Sequence, residues 1–305
     1  MSGATDSPRG FGAPEIALLA LTSAVWGIAY IFIREGILEG ASPLAFAAAR
    51  YLASFVAFFL IAAVRREPFP DRRVLGISAA IGGVLIIGLY GGLLYWGEQY
   101  TTGGYAAVLA SVAPLFTLGA GYWMLSSERF GARGIAGIAV GFGGTVILVL
   151  PSLEGSPVGS LEGPLFILTA MLVTAIGSVW LRRMALGRQS SWQIGGQFAV
   201  AGALLAVAAL LLPVPERLPL TTPVLVALAA LVGASSIVGY FGYFMLHHRV
   251  GPVRANVVAY LVPIVGVTVG TVAYGEPATL WELGGVAVVL FGVTLVITDR
   301  ARRHG

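Results

Sequence analysis

Ten apolar runs follow one another along this chain with little polar sequence between them. They are Pro14–Ile33, Pro43–Val64, Val74–Trp96, Thr102–Met124, Gly134–Leu150, Pro164–Leu181, Trp192–Leu212, Thr222–Leu246, Val253–Tyr274 and Leu280–Thr298. A helix needs about 20 mostly apolar residues to cross the ~30 Å hydrocarbon core of a bilayer, and these runs meet that length within ordinary scatter. Inside lipid each backbone N–H and C=O must find a partner within the protein, so each run is expected to be a helix. The expected fold class is an all-α polytopic membrane protein of ten transmembrane helices.

The basic residues orient the bundle. Lysine is absent, and all eighteen basic side chains are arginines. Arg9, Arg65, Arg66, Arg72, Arg73, Arg129, Arg133, Arg182, Arg183, Arg188, Arg249, Arg254, Arg300, Arg302 and Arg303 fall on one side of the expected membrane. Arg34 and Arg217 fall on the other, and Arg50 lies within the second run. Fifteen against two places the rich side, with both termini, in the cytoplasm. Miscounting one helix would exchange the sides beyond it and destroy the asymmetry.

Composition narrows the class further. The chain is 57% hydrophobic and only 10% charged, which leaves no sequence for a soluble domain. Its net charge of +4 sits in arginines on a membrane face, where anionic lipid balances it, so the partner is the bilayer and not nucleic acid. There are no cysteines, which excludes disulfides and thiolate metal sites. Ile16–Ile33 is longer than a signal-peptide core and is expected to be retained as the first helix. The glycines, 42 in all, fall mostly inside the runs, where small residues let helices pack closely.

Two halves superimpose at an offset near 149 residues. Pro14 matches Pro164, Trp26-Gly27 matches Ile176-Gly177, and the segment ending at Pro114 matches Asn256–Pro263. Gly137 matches Gly285 and Gly144 matches Gly292. The expected organisation is a leader (1–13), a first five-helix repeat (14–150), a connecting loop (151–163), a second repeat (164–298) and a tail (299–305). An odd number of crossings per repeat makes the two enter the membrane in opposite directions. Inverted repeats around a midplane site are the architecture of many secondary transporters. Pro114 and Pro263 each remove a backbone N–H and free the carbonyl four residues earlier, at Ala110 and Ala259. Such a break either borders a cavity or merely kinks the helix.

The segments Ala24-Val-Trp26-Gly27, Arg50, Tyr105–Phe116 and Ser127-Glu128-Arg129-Phe130 resemble the EamA-type group of the drug/metabolite transporter superfamily. The resemblance covers nearly the whole chain in two copies. Ile176-Gly177 stands where the first copy has Trp-Gly, and Gly275-Glu276-Pro277 where it has Glu-Arg. The resemblance implies ten helices in inverted repeats and export of amino acids or other small metabolites.

Candidate substrate-binding residues are the polar and aromatic groups within the runs: Trp26, Tyr30, Arg50, Tyr90, Gln197, Tyr240, Asn256 and Tyr260. Arg50 is about 10 Å below the boundary at Pro43, by the 1.5 Å rise per residue. It either holds a substrate carboxylate, which suits a guanidinium, or clamps the packing of its own helices. Candidates for gating or coupling are Glu98, Glu128, Pro114, Pro263 and His247. Glu98 could gate, pair with Arg50 or take up a proton, or it is a solvated loop carboxylate. Tyr95, Trp96 and Tyr100 read as an interfacial aromatic belt.

These residues point to a secondary carrier for a small solute, with no cofactor and no metal. There is no G-x-x-x-x-G-K-[ST] loop for ATP coupling and no H-E-x-x-H. Asp6, Asp71 and Asp299 all lie outside the runs, which excludes a two-aspartate intramembrane protease. A multidrug-type efflux carrier or a facilitative channel fits the same pattern. The oligomeric state stays open.

Overall fold

The structure is a computed structural model that describes residues 11–100, 106, 109–125, 131–153, 161–184, 186, 189–212, 217–274 and 280–299. Among these, every regular element is helical. In chain order α1 is Ala13–Leu38, α2 Pro43–Val64, α3 Arg72–Gly97, α4 Ala113–Met124 and α5 Ala132–Leu153. Then follow α6 Glu162–Arg183, α7 Ser191–Leu211, α8 Thr222–Val250, α9 Val258–Tyr274 and α10 Leu280–Thr298. A single turn, Pro252–Ala255, precedes α9. Six helices, α1, α2, α3, α6, α7 and α8, are long and apolar enough to cross a membrane, and shorter apolar stretches run over Ala132–Ile147, Pro252–Val265 and Leu283–Thr298.

Local chemistry sets the ends of these helices. Pro14, Pro43 and Pro223 stand in the first turns of α1, α2 and α8, where a missing N–H removes no helical bond. Asp71 caps α3 by accepting from the N–H groups of Arg73 (2.8 Å) and Val74 (3.3 Å). Ser190 caps α7, and the Gln193 side chain answers to the Ser190 N–H. After α8, Gly251 takes φ +84°, a left-handed conformation that reverses the chain into the Pro252 turn.

Two helices change their winding midway. α3 widens to a π-helix over Gly82–Leu89, and α8 does so over Leu231–Tyr240. The two stretches begin at positions related by the offset between the halves of the sequence. A π segment is usually retained where it serves a site, and both of these contribute to the central hollow described below.

Packing follows the same pairing. α5 lies along α10 and α2 along α7, while α1 packs on α8 and α9, and α6 packs on α3 and α4. The α5–α10 seam is built on glycine. A Cβ on Gly292 would stand 2.7 Å from the Gly141 Cα and 2.8 Å from the Gly137 carbonyl oxygen, so only hydrogen fits there.

The proline positions differ in detail between the halves. Ser111-Val112 forms a turn, and Pro114 then sits in the first turn of α4. Pro263 lies inside α9, and the chain turns instead at Asn256-Val257. Pro114 therefore opens a helix where a mid-helix break was expected. Glu128 lies outside the described residues.

Candidate functional site

A hollow of ≈ 80 Å³ lies in the middle of the bundle. That is several times the ~10–15 Å³ one water requires. Its wall draws on α1 (Trp26, Tyr30), α2 (Arg50, Tyr51), α3 (Ile86, Tyr90, Tyr95), α6 (Met171, Thr174), α8 (Ser235, Tyr240, Tyr243) and α9 (Val258, Ala259). Ala259, whose carbonyl Pro263 frees, is on this wall, and so is Ala110, just before the turn that leads into α4.

Arg50 is the charged group of that wall, 4% exposed. Nε donates to Ser236 Oγ at 3.1 Å, Nη1 to the Tyr95 hydroxyl at 3.0 Å and Nη2 to Ser235 Oγ at 2.7 Å. All three acceptors are neutral. The guanidinium thus joins α2 to α3 and to the π segment of α8, and its carbon lies 5.4 Å from the centre of the Tyr51 ring. A charge at such a depth costs about 2.5–3.5 kcal/mol or more, so a wet or ligand-binding setting is its usual one.

Aromatic rings supply most of the remaining surface. Trp26 meets Tyr240 at 5.3 Å and Tyr243 at 5.2 Å between ring centres. The Trp26 Nε1–H donates to the Ser235 carbonyl oxygen at 3.2 Å, a second tie between α1 and the π segment. Tyr30 pairs with Tyr90 through their hydroxyls, and Tyr51 pairs with Tyr240.

Toward the arginine-rich end, a chain of buried polar groups closes the hollow. The Tyr243 hydroxyl donates to Asn256 Oδ1 at 3.0 Å and lies 2.8 Å from Ser178 Oγ. Asn256 Nδ2 donates to Thr117 Oγ1 at 2.7 Å, so α4, α6, α8 and the turn before α9 are joined in one layer. One turn further along α8, His247 Nε2 lies 2.7 Å from the Ser178 carbonyl oxygen. Beyond that, Arg249 pairs with Glu15 at 2.8 Å, and Gly131 N–H donates to the Asp299 carboxylate at 3.1 Å.

Glu98 is the first residue past α3, one turn beyond Tyr95 on the same face. It does not reach the wall of the hollow. Its Oε1 is buried and has no hydrogen-bond partner among the described residues. Burial pushes its carboxyl up to about 8, against the pull of Arg34 and Arg50 toward the ionised form.

Of the residues singled out by sequence, Trp26, Tyr30, Arg50, Tyr90, Tyr240 and Asn256 are brought together on the wall. Gln197 and Tyr260 are not. Gln197 faces α3, where its Nε2 donates to Ser78 Oγ (2.8 Å) and Gln189 Oε1 (3.0 Å). The Tyr260 hydroxyl donates to the Ile138 carbonyl oxygen at 2.8 Å and fastens α9 to α5. Both side chains find their hydrogen-bond partners away from the hollow. His247, Pro114 and Pro263 are close behind the wall without lining it.

Tyr95 corrects the reading of an interfacial belt, since it is wholly buried on the Arg50 guanidinium. Ser235, Ser236, Tyr243 and Tyr51 were missed. Two consecutive hydroxyls inside an apolar run were the available signal for the serines, because a polar side chain in hydrocarbon needs a partner.

The EamA-like transporter family model matches residues 14–150 and again 161–298. The uncharacterized inner membrane transporter YedA of Escherichia coli (strain K12) is 31% identical over 290 residues, covering 92% of this chain and 89% of its own. A Salmonella typhimurium (strain LT2) protein named "probable amino-acid metabolite efflux pump" is 26% identical over 297 residues, covering 94% and 96%. A solved crystal structure superimposes with a TM-score of 0.76 at 18% identity, covering 96% of this chain and 99% of the other, which is a likeness of fold.

Proposed function

Since the chain belongs to the EamA-like transporter family, a multi-pass transporter of the cell membrane, we propose that it is a secondary carrier exporting small metabolites by alternating access. The solutes are amino acids or related, partly apolar compounds. The name of the Salmonella typhimurium relative supports both the direction and the solute class. Ten crossings, as two five-helix repeats of opposite direction with cytoplasmic termini, form the moving parts.

The observation that carries this reading is one hollow walled by both family-model matches. Trp26, Arg50 and Tyr90 come from the first and Met171, Tyr240 and Asn256 from the second. A site at such an interface is exposed to either side when the halves rock against each other. The matching neighbours of α1 (α8 and α9) and α6 (α3 and α4), and the π segments at matching places in α3 and α8, support the two-repeat description. The arginine-rich ends of the helices mark the cytoplasmic side.

In this reading the aromatic wall takes the apolar body of the solute and Arg50 its polar head. The carbonyl of Ala259, freed by Pro263, supplies an acceptor, and Glu98 and His247 stand near the two exits. Counterflow tests the assignment. Proteoliposomes loaded with one unlabelled amino acid or carboxylate at a time should accelerate uptake of its labelled form, and uptake should saturate. Flux that rises in proportion to concentration for the whole panel would remove the carrier reading.

A further inference from the structure

We propose that the preferred solute is a monocarboxylate with an apolar body and no ammonium group, bound as its anion with the carboxylate on Arg50. This deepens the carrier reading and rests on it. It separates the solute from an ordinary amino acid by one functional group.

Charge within the hollow carries the argument. Arg50 is buried on the wall, and each of its hydrogen bonds goes to a neutral hydroxyl of Tyr95, Ser235 or Ser236. Among the described residues no aspartate or glutamate lines the hollow. A carboxylate anion therefore brings the enclosed charge to zero. A zwitterion cancels Arg50 with its carboxylate and restores the same charge with its ammonium, in surroundings that disfavour it.

The acceptors that an ammonium group would meet on the wall are all neutral. Ser235 Oγ accepts from Arg50, the Ser235 carbonyl accepts from Trp26, and Asn256 Oδ1 accepts from Tyr243. The carbonyls of Ala110 and Ala259 and the hydroxyls of Thr174, Tyr30, Tyr51, Tyr90 and Tyr240 remain, but they are neutral dipoles and offset no charge. Glu98 stands off the wall, just past Tyr95. Its carboxyl, raised to about 8 by burial, is mostly protonated at neutral pH and leaves Arg50 uncompensated.

The guanidinium matches a carboxylate through paired N–H donors, and only three of its five N–H groups are needed for the hydroxyls. Trp26, Tyr240 and Tyr243 face the same space and offer ring surface to an arene or a branched chain.

Two matched probe sets decide the matter on the purified full-length protein by calorimetry. One is hydrocinnamate, L-phenylalanine and phenethylamine. The other is isocaproate, L-leucine and isoamylamine. Within a set the skeleton is constant and only the charged groups change. At least one carboxylate should bind about tenfold or more tightly than its amino acid, with no binding by either amine. Arg50→Gln should remove that preference and Arg50→Lys should restore part of it.

Equal or tighter binding of the amino acids overturns the proposal, as does failure of both carboxylates to bind. The wild-type comparison stands even if Arg50→Gln does not fold. Counterflow keeps the two readings apart. An amino acid that binds best and exchanges leaves the carrier and removes the anion preference. A carboxylate that binds best but never exchanges leaves the site and removes the carrier.

Discussion

Tyr243 and Asn256 are joined at 3.0 Å across the end of the central hollow that faces the arginine-rich loops. The same tyrosine hydroxyl lies 2.8 Å from Ser178 Oγ, so one oxygen holds α8 to both α6 and the turn before α9. Tyr243→Phe keeps the ring against Trp26 and deletes both bonds. At about 0.6 kcal/mol for each intramembrane hydrogen bond, the loss is near 1 kcal/mol, or roughly a fivefold shift between closed and open forms. The chain has no cysteine, so Ala113→Cys on the wall gives a single thiol to follow. A membrane-impermeant maleimide added from the cytoplasmic side should label it about fivefold faster when Tyr243→Phe is also present. An unchanged labelling rate would show that this layer does not close the hollow.

Glu98 gives the anion site a pH dependence of definite sign. Arg34 and Tyr30 approach it from α1, Arg50 and Tyr51 from α2, and Tyr95 from its own helix. With its carboxyl pushed up to about 8 by burial, Glu98 is neutral below that pH and ionised above it. Ionisation places a negative charge near Arg50 and competes with the solute carboxylate. Affinity for the bound carboxylate should thus fall as pH rises through about 8, and Glu98→Gln should flatten the profile. Calorimetry across that range measures it, and an equal slope in both proteins would acquit Glu98.

Hydropathy made the helices legible and the site only half so. The runs Pro43–Val64 and Leu280–Thr298 coincide with α2 and α10. Charged residues did not stop α1, which continues through Arg34 and Glu35 to Leu38. A membrane helix is apolar on every side, so no amphipathic face reveals which residues point inward. Tyr95 therefore looked like a belt residue, and Tyr243 went unremarked, until their partners on other helices were in view. Gln197 and Tyr260 differ in the opposite sense, as polar groups within the runs that lie off the wall. Polarity in hydrocarbon requires a partner, and any neighbouring helix can supply one.

That distinction makes Gln197 a useful control for binding. It is completely buried and bonded to Ser78 and Gln189, with its own Oε1 unpartnered among the described residues. Ser78 Oγ also donates to Gln189 Oε1 at 2.6 Å, so the remaining pair stays satisfied without it. Gln197→Leu should lower thermal stability by no more than about 1 kcal/mol and leave solute affinity unchanged. Tyr240→Leu, on the wall, should do the reverse and weaken binding. Loss of affinity in Gln197→Leu would put that side chain back in the site.

The α5–α10 seam offers the sharpest test of packing, because its control is a neighbouring glycine. An added methyl at Gly292 would meet the backbone of Gly137 and Gly141, and backbone cannot swing aside as a side-chain tip can. One at Gly143, also on α5, would meet no heavy atom within 4 Å. Forcing a methyl into a closed contact costs about 1–3 kcal/mol, whereas glycine to alanine in an open helical position gains about 0.5–1 kcal/mol. Gly292→Ala should therefore unfold at a lower temperature than wild type in detergent, and Gly143→Ala at the same or a slightly higher one. Near-equal destabilisation by both would mean that α5 and α10 do not meet through this glycine face.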